Sequence, residues 1–343
     1  MRIVQALQDD YLPTICGNAL VVNSYVKMLK TKFPEHKVVV WENDRPEHEV
    51  VEGVSVTNIL DSKEMIAHKI SRMVKNENVD VLIVHSHEDR VSKHLSNISM
   101  DVTRILVQHF EDSRLLKSID NYHGAIVFQK KQYEDYLRMG IPKEKLLLCP
   151  PSLDFEKDYV TPPPLSERTP RSIIYAGRII EAKGCHQIIP HLEKIDATYT
   201  IIGPLSDKKY IDRLKKLAKN YGVEDRITIK KEVSQKELIS EFHKHQAFIL
   251  PSRSDCFSLT MREAMSSGCI CTALELKNAY SWAENKAFIA KNYETMANFL
   301  KYAFDSNKIG MNYNFAKSLF DFETLSTELC DFIENINAQR LTF

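Results

Sequence analysis

Two acids stand eight positions apart in the segment Pro251-Ser-Arg-Ser-Asp255-Cys-Phe-Ser258-Leu259-Thr260-Met-Arg-Glu263-Ala-Met-Ser-Ser-Gly268, where a strand pattern gives way to a helix pattern. The apolar run Ala247 to Leu250 predicts a buried parallel strand that Pro251 stops, and Leu259 to Met265 predicts the first turns of a helix. Asp255 then falls in the loop at the carboxyl end of the strand, and Glu263 about two turns into the helix, on a face that can look back to that loop. Ligands of open α/β sheets collect in that crevice. The N–H groups of Ser258 to Met261 would favour an anion there.

The elements around this junction alternate. Short apolar runs predict strands near 2–7, 37–41, 54–60, 80–84, 103–108, 124–128 and 145–149, with helices at 18–33, 63–76 and 129–139. Prolines 150, 151, 162, 163, 164 and 170 punctuate a polar stretch that reads as a linker. A second alternation follows, with strands near 172–176, 198–202, 226–229, 247–250, 270–274 and 287–290 and helices at 207–221, 234–244, 258–267 and 293–305. The expectation is α/β: a domain over 1–155 and a second over 156–320, each a doubly wound parallel sheet.

Bulk composition excludes more than it assigns. The 343 residues are 43% hydrophobic, enough for two cores. Forty-six basic residues balance 46 acidic ones, so no net field draws the chain to nucleic acid. Seven cysteines without a C-x-x-C pair suit reduced core thiols. A start of Met-Arg-Ile-Val and the lack of an apolar run of about 18 residues predict neither signal peptide nor membrane span. The expected place of work is cytoplasmic, with peripheral contact at the inner face of the cell membrane as an option. No G-x-G-x-x-G or P-loop lysine motif points to a dehydrogenase or an NTPase. His85 and His87 close the strand at 80–84, but ligands at i and i+2 of a strand face opposite ways and no third ligand is evident, so no metal is expected.

The acid-x7-acid segment resembles the signature of family-4 retaining glycosyltransferases. Ile173-Ile-Tyr-Ala-Gly-Arg178 with Glu181-Ala-Lys183-Gly184 is similar to that family's strand, glycine turn and Arg-x4-Lys. Tyr199-Thr-Ile-Ile-Gly-Pro204, Tyr221-Gly-Val-Glu-Asp-Arg226 and Gly140-Ile-Pro-Lys-Glu-Lys-Leu-Leu-Leu148 continue the likeness in the family's order. The resemblance implies the GT-B architecture, two Rossmann-like domains with a nucleotide-sugar cleft between them, and a terminal helix over 322–337 that returns to the first domain. It also implies roles. Arg178 and Lys183 would stabilise the departing diphosphate, and the N–H groups of Ser258, Leu259 and Thr260 would hold a phosphate. Glu263 would accept from the ribose hydroxyls. Asp255, one methylene shorter than the family's usual glutamate, would accept from the transferred sugar. The loop Lys230 to Val233 would meet the base, leaving UDP, GDP and ADP open. Gly17, after Cys16, stands at the family's glycine-rich phosphate loop, or is simply a turn residue. His109 resembles the strand-end histidine beside the anomeric carbon, and His87 would line the acceptor side or cap its strand.

The implied activity is metal-independent, cofactor-free transfer from a nucleoside-diphosphate sugar to a carbohydrate, lipid-linked or protein acceptor, with retention. It fits synthesis of a surface polysaccharide or glycoconjugate. Two rivals stand beside it: a non-catalytic glycosyltransferase-like partner subunit, favoured by Asp255, Ser258 and the single Gly17, and a GT-B sugar-nucleotide epimerase. The helix 18–33, with Lys27, Lys30 and Lys32 beside Val22, Tyr25, Val26, Leu29 and Phe33, could rest on a membrane as in related phosphatidylinositol mannosyltransferases, or pack on the sheet with its lysines in water. Acceptor identity and oligomeric state leave no trace in one sequence.

Overall fold

The computed structural model describes residues 1–8, 17–41, 46–51, 53–86, 90–97, 99–109, 119, 121–253, 255, 257–276, 281–283, 286–306 and 312–341. The chain divides into two compact units, Met1–Ser152 with Phe320–Phe343, and Leu153–Leu319. Both are mainly parallel sheets flanked by helices, as continuous Val- and Ile-rich strands require, because such strands are buried on both faces.

In the first unit the strands are β1 (Ile3–Gln8), β2 (His36–Trp41), β3 (His48–Val51), β4 (Val54–Ile59), β5 (Val81–Ser86), β6 (Thr103–Gln108), β7 (Gly124–Val127) and β8 (Leu146–Leu148), in the order β3-β4-β2-β1-β5-β6-β7-β8. The helices are α1 (Gly17–Lys30), α2 (Lys63–Asn76), α3 (Arg90–Asn97) and α4 (Lys130–Arg138). Only β3 runs antiparallel, against β4, among the described strands. It was not anticipated, since His48-Glu-Val-Val51 is half exposed and carries charge, as an edge strand must.

Helix α1 buries Val21, Val22, Tyr25, Val26, Met28 and Leu29. Lys30 donates to the Gly53 carbonyl at 2.8 Å and Lys32 pairs with Glu334 at 2.7 Å, so the apolar face of this helix is committed to the protein core. The terminal helix, predicted at 322–337, runs Phe322–Leu341 and belongs to the first unit. Thr103 Oγ1 fixes it to β6, donating to Asn337 at 2.6 Å and accepting from Arg340 at 3.0 Å. No helix among the described residues is long and apolar enough to cross a membrane.

In the second unit the strands are β9 (Thr169–Ala176), β10 (Thr198–Ile202), β11 (Ile227–Lys230), β12 (His245–Leu250), β13 (Ile270–Leu274) and β14 (Phe288–Ala290), in the order β11-β10-β9-β12-β13-β14. Its helices are α5 (Leu192–Ile195), α6 (Lys208–Asn220), α7 (Gln235–Lys244), α8 (Leu259–Ser266), α9 (Tyr293–Ser306) and α10 (Tyr313–Phe320), with α11 (Phe322–Leu341) following. One detail departs from expectation. Pro170 lies inside β9 and not in the linker; its missing N–H is tolerated because the register with β12 slips between His245 and Ala247 beside it. The segment after β9 is a series of 3₁₀ turns at 181–183, 185–187 and 189–191, interrupted by Gly184, which is left-handed at φ 71°.

Arg168 holds the end of the linker to this unit. Its buried guanidinium donates to the carbonyls of Pro163 (2.9 Å), Phe242 (3.1 Å), His245 (3.0 Å) and Ser267 (2.8 Å). No apolar side chain can satisfy those acceptors. Arg168→Met should therefore destabilise the protein by about 3 kcal/mol in urea unfolding, whereas Lys32→Met, which removes an exposed pair, should change it by less than about 1 kcal/mol.

Candidate functional site

The second sheet reverses its winding between β9 and β12, so the connections after these neighbouring strands leave in opposite directions and open a crevice at their carboxyl ends. The loops at that point are 177–184 and 251–258, the two segments that carry Arg178, Lys183, Asp255 and Ser258. Glycines let the backbones close in. A Cβ on Gly203 would lie 1.9 Å from the Gly177 carbonyl oxygen, and one on Gly184 would lie 2.2 Å from that of Pro251. Side chains are excluded at both contacts.

Here Lys183 meets Asp255, Nζ to Oδ2 at 3.0 Å, with only 18% and 14% of the side chains exposed. The cation expected for the diphosphate and the acid expected for the sugar are thus in direct contact. Arg178 is exposed and its guanidinium has no ion pair among the described residues; its carbonyl accepts from Tyr175 Oη at 2.9 Å. Burial raises the Tyr175 phenol well above its ordinary range, and the nearby Cys185 and Asp255 reinforce the shift. The phenol stays a neutral donor.

Ser258 is the N-cap of α8, and its Oγ accepts from the Met261 N–H at 3.2 Å. The expectation that every N–H from Ser258 to Met261 faces an anion is corrected: Met261 is satisfied by its own cap, which leaves Leu259 and Thr260 as the first-turn donors. Glu263 is the fifth residue of α8, just over one turn in and not two. It is buried at 4% exposure, 3.8 Å from the equally buried Arg262. Burial raises its pKa, against the pull of Arg262 and of a hydrogen bond from Gln235. Its ionised form thus costs folding stability above that raised pKa, a cost that vanishes below the ordinary 4.5. Gln235 also donates to Tyr159 Oη at 2.6 Å. This amide opens α7, directly after Val233 and the Ser234 cap, so the loop expected to meet a base is tied through Gln235 to the acid expected to meet a ribose.

In the first unit, Gly17 is the exposed first residue of α1. His109 follows β6 and is buried at 8% exposure, with its Nε2 2.9 Å from Nδ1 of His85. Its ring meets Phe128 edge-on at 5.4 Å. Cys16 and His87 lie outside the described residues. Sequence reasoning missed Tyr159, Gln235 and Arg262. Arg262 was inside the quoted signature without a role; nothing near Tyr159 in the sequence signals its bond to Gln235, which lies 76 residues away.

The glycosyl transferases group 1 family model matches residues 161–307. The D-inositol 3-phosphate glycosyltransferase of Xylanimonas cellulosilytica is 26% identical over 163 residues, which span 42% of this chain and 39% of that protein. Among solved structures, sucrose-phosphate synthase of Thermosynechococcus elongatus superposes with a TM-score of 0.77 at 13% identity, covering 99% of this chain and all of that one. HepE of Anabaena, in complex with UDP and glucose, gives 0.75 at 14% identity, covering 97% and 99%. These likenesses establish the GT-B fold.

A buried ion pair is destabilised most by losing one partner. Arg262→Met and Glu263→Gln should each lower stability by about 3 kcal/mol, and the double variant should recover most of that loss. A thermal and urea double-mutant cycle at pH 7 measures it; strictly additive losses would show that the two charges do not compensate each other.

Proposed function

We propose, from a second unit whose residues 161–307 are a glycosyl transferases group 1 domain on a GT-B fold, that this protein is a retaining glycosyltransferase. It would move a sugar from a nucleoside-diphosphate donor to a hydroxyl of a glycan, lipid or protein. The observation that carries the reading is the meeting of Lys183, Asp255 and the α8 N-terminus at the β9/β12 reversal. UDP is the favoured base-diphosphate, because HepE is solved with UDP-glucose and the pneumococcal transferase GtfA with UDP and GlcNAc.

In this reading the leaving diphosphate draws on Arg178, Lys183 and the Leu259 and Thr260 N–H groups, whose positive ends stabilise the charge that grows on it. Glu263 accepts from the ribose hydroxyls, and the Gln235 amide holds it in place. Asp255 turns from Lys183 to the sugar as Lys183 turns to phosphate, an exchange of partners within one site. The acceptor hydroxyl passes its proton to the departing phosphate oxygen while the new bond forms on the same face. Orientation and charge stabilisation then do the work of an acid/base pair. The fixed cations take the role that a divalent ion would fill, so the reaction runs without a metal. Buried thiols at Cys149, Cys185, Cys269, Cys271 and Cys330 suit a reducing, cytoplasmic place of work.

A non-catalytic partner subunit is the second reading, because the site pairs Lys183 with Asp255 and one α8 N–H with Ser258. Calorimetry and turnover separate the two. Arg178→Ala and Glu263→Ala should weaken UDP binding by about 2–4 kcal/mol; wild-type affinity in both removes the site assignment. Asp255→Ala should leave bare UDP binding undiminished yet lower transfer or donor hydrolysis by about tenfold or more, with Asp255→Glu retaining activity. Turnover should survive chelation, and the product should keep the donor's anomeric configuration. A wild-type protein that turns over nothing from a broad donor panel is the partner subunit.

A further inference from the structure

Helix α6 concentrates charge in a chain that carries none overall. Its 13 residues, Lys208–Asn220, hold five lysines and one arginine against one acid, whereas 46 basic residues balance 46 acidic ones across the whole sequence. Tyr210, Ile211, Leu214 and Ala218 form its buried side. Lys208, Lys209, Lys215, Lys216 and Lys219 are exposed. At about 3.6 residues per turn they share an arc of about 120° on the opposite side, with Asp212 among them.

Two features separate this face from an ordinary solvated one. The first is where its cations stand. A helix dipole favours cations at the carboxyl end, which Lys219 serves, yet Lys208 and Lys209 occupy the first turn, where the positive end of the dipole repels them. Asp207 caps that turn, accepting from the Tyr210 N–H at 3.0 Å, and no acid follows it there. Arg213 pairs with Glu181, but none of the five lysines makes an ion pair among the described residues, although Asp212 stands one turn from Lys208 and from Lys216. The second feature is apolar. Leu205 and Tyr221 flank the helix at its two ends and are 41% and 49% exposed.

We propose that the exposed face of α6 is an interaction surface for a bilayer rich in anionic phospholipid, with its lysines over the headgroup phosphates and Leu205 and Tyr221 entering the interface at either end. Each lysine close to such a surface strengthens binding about fivefold. A soluble polyanion would satisfy the lysines but offers nothing that buries Leu205 and Tyr221, and a tyrosine, apolar in its ring and polar at its tip, suits the boundary between lipid and water. The contact falls on α6 and not on α1, whose apolar face is committed to the core of the first unit.

Co-sedimentation of the full chain with vesicles tests this surface without donor or acceptor. Wild type should pellet with vesicles of equal parts phosphatidylglycerol and phosphatidylcholine and stay in solution with phosphatidylcholine alone. Raising salt from about 0.1 M to about 1 M cuts the screening length from about 10 Å to about 3 Å and should release most of the bound protein. Lys208→Gln combined with Lys215→Gln and Lys219→Gln should weaken binding about a hundredfold, at about fivefold for each lysine. Leu205→Ser combined with Tyr221→Ser should weaken it by about tenfold or more, through the lost apolar contact. Lys27→Gln combined with Lys32→Gln, in and just after α1, should leave it unchanged. Every substituted side chain is exposed, so the fold stays out of the readout. Equal binding to both kinds of vesicle overturns the proposal, as does release by the α1 pair with the α6 triple variant still bound. Capture of a single-stranded oligonucleotide by α6 with no vesicle binding also overturns it and makes the face a polyanion surface. Vesicle binding by a protein that turns over no donor keeps the surface and removes the transferase reading.

Discussion

The contact between the Gly177 carbonyl and the Cα of Gly203 sets the geometry on which the second unit's site depends. With a Cβ-to-oxygen separation of 1.9 Å in prospect, no residue except glycine fits at 203, and the carboxyl ends of β9 and β10 can therefore draw together. Gly184 does the same against Pro251, with its left-handed φ of 71° turning the chain so that Lys183 points to the loop that follows β12. The ion pair between Lys183 and Asp255 is the outcome of that approach. Backbone proximity comes first, and the charges follow from it.

The two acids of the signature sit in opposite electrostatic situations. Asp255 is matched at 3.0 Å by Lys183 in a partly solvated loop, so its charge is offset by a close cation. Glu263 is enclosed, its nearest cation is 3.8 Å away, and burial outweighs that cation and the Gln235 hydrogen bond, raising its pKa. Buried charge held with incomplete compensation is costly to folding, and such groups concentrate at functional sites. One acid is thereby closely compensated and the other is held with its charge incompletely matched.

The second unit was far more legible than the first. Its strands, the crevice and the loop positions of Asp255 and Ser258 could be read because they follow local rules, apolar runs, a stopping proline and a capping serine, whereas Arg178 and Lys183 were singled out by the family resemblance. What local rules leave unspecified was misread. Pro170 joined a strand because a register slip in β12 released the N–H requirement, and the cap on Met261 consumed a donor that the helix N-terminus was expected to offer. The Tyr159–Gln235–Glu263 cluster joins residues from three separate elements, and no spacing in the chain foretells it. In the first unit His85 and His109 were visible as strand-end histidines, but their mutual bond was not, because it depends on strand pairing: His85 stands opposite Val107, and His109 continues two residues further along the same face.

Gln5 in β1 shows why a buried amide persists in a sheet otherwise built from valine, leucine and isoleucine. An apolar residue at position 5 would pack well against Val22 and remove a desolvation cost, yet it would leave His36, His85 and the Val22 carbonyl to find other partners. An amide can donate at one end and accept at the other, so one side chain serves both His36 and His85. Hydroxyls rotate and carboxylates only accept.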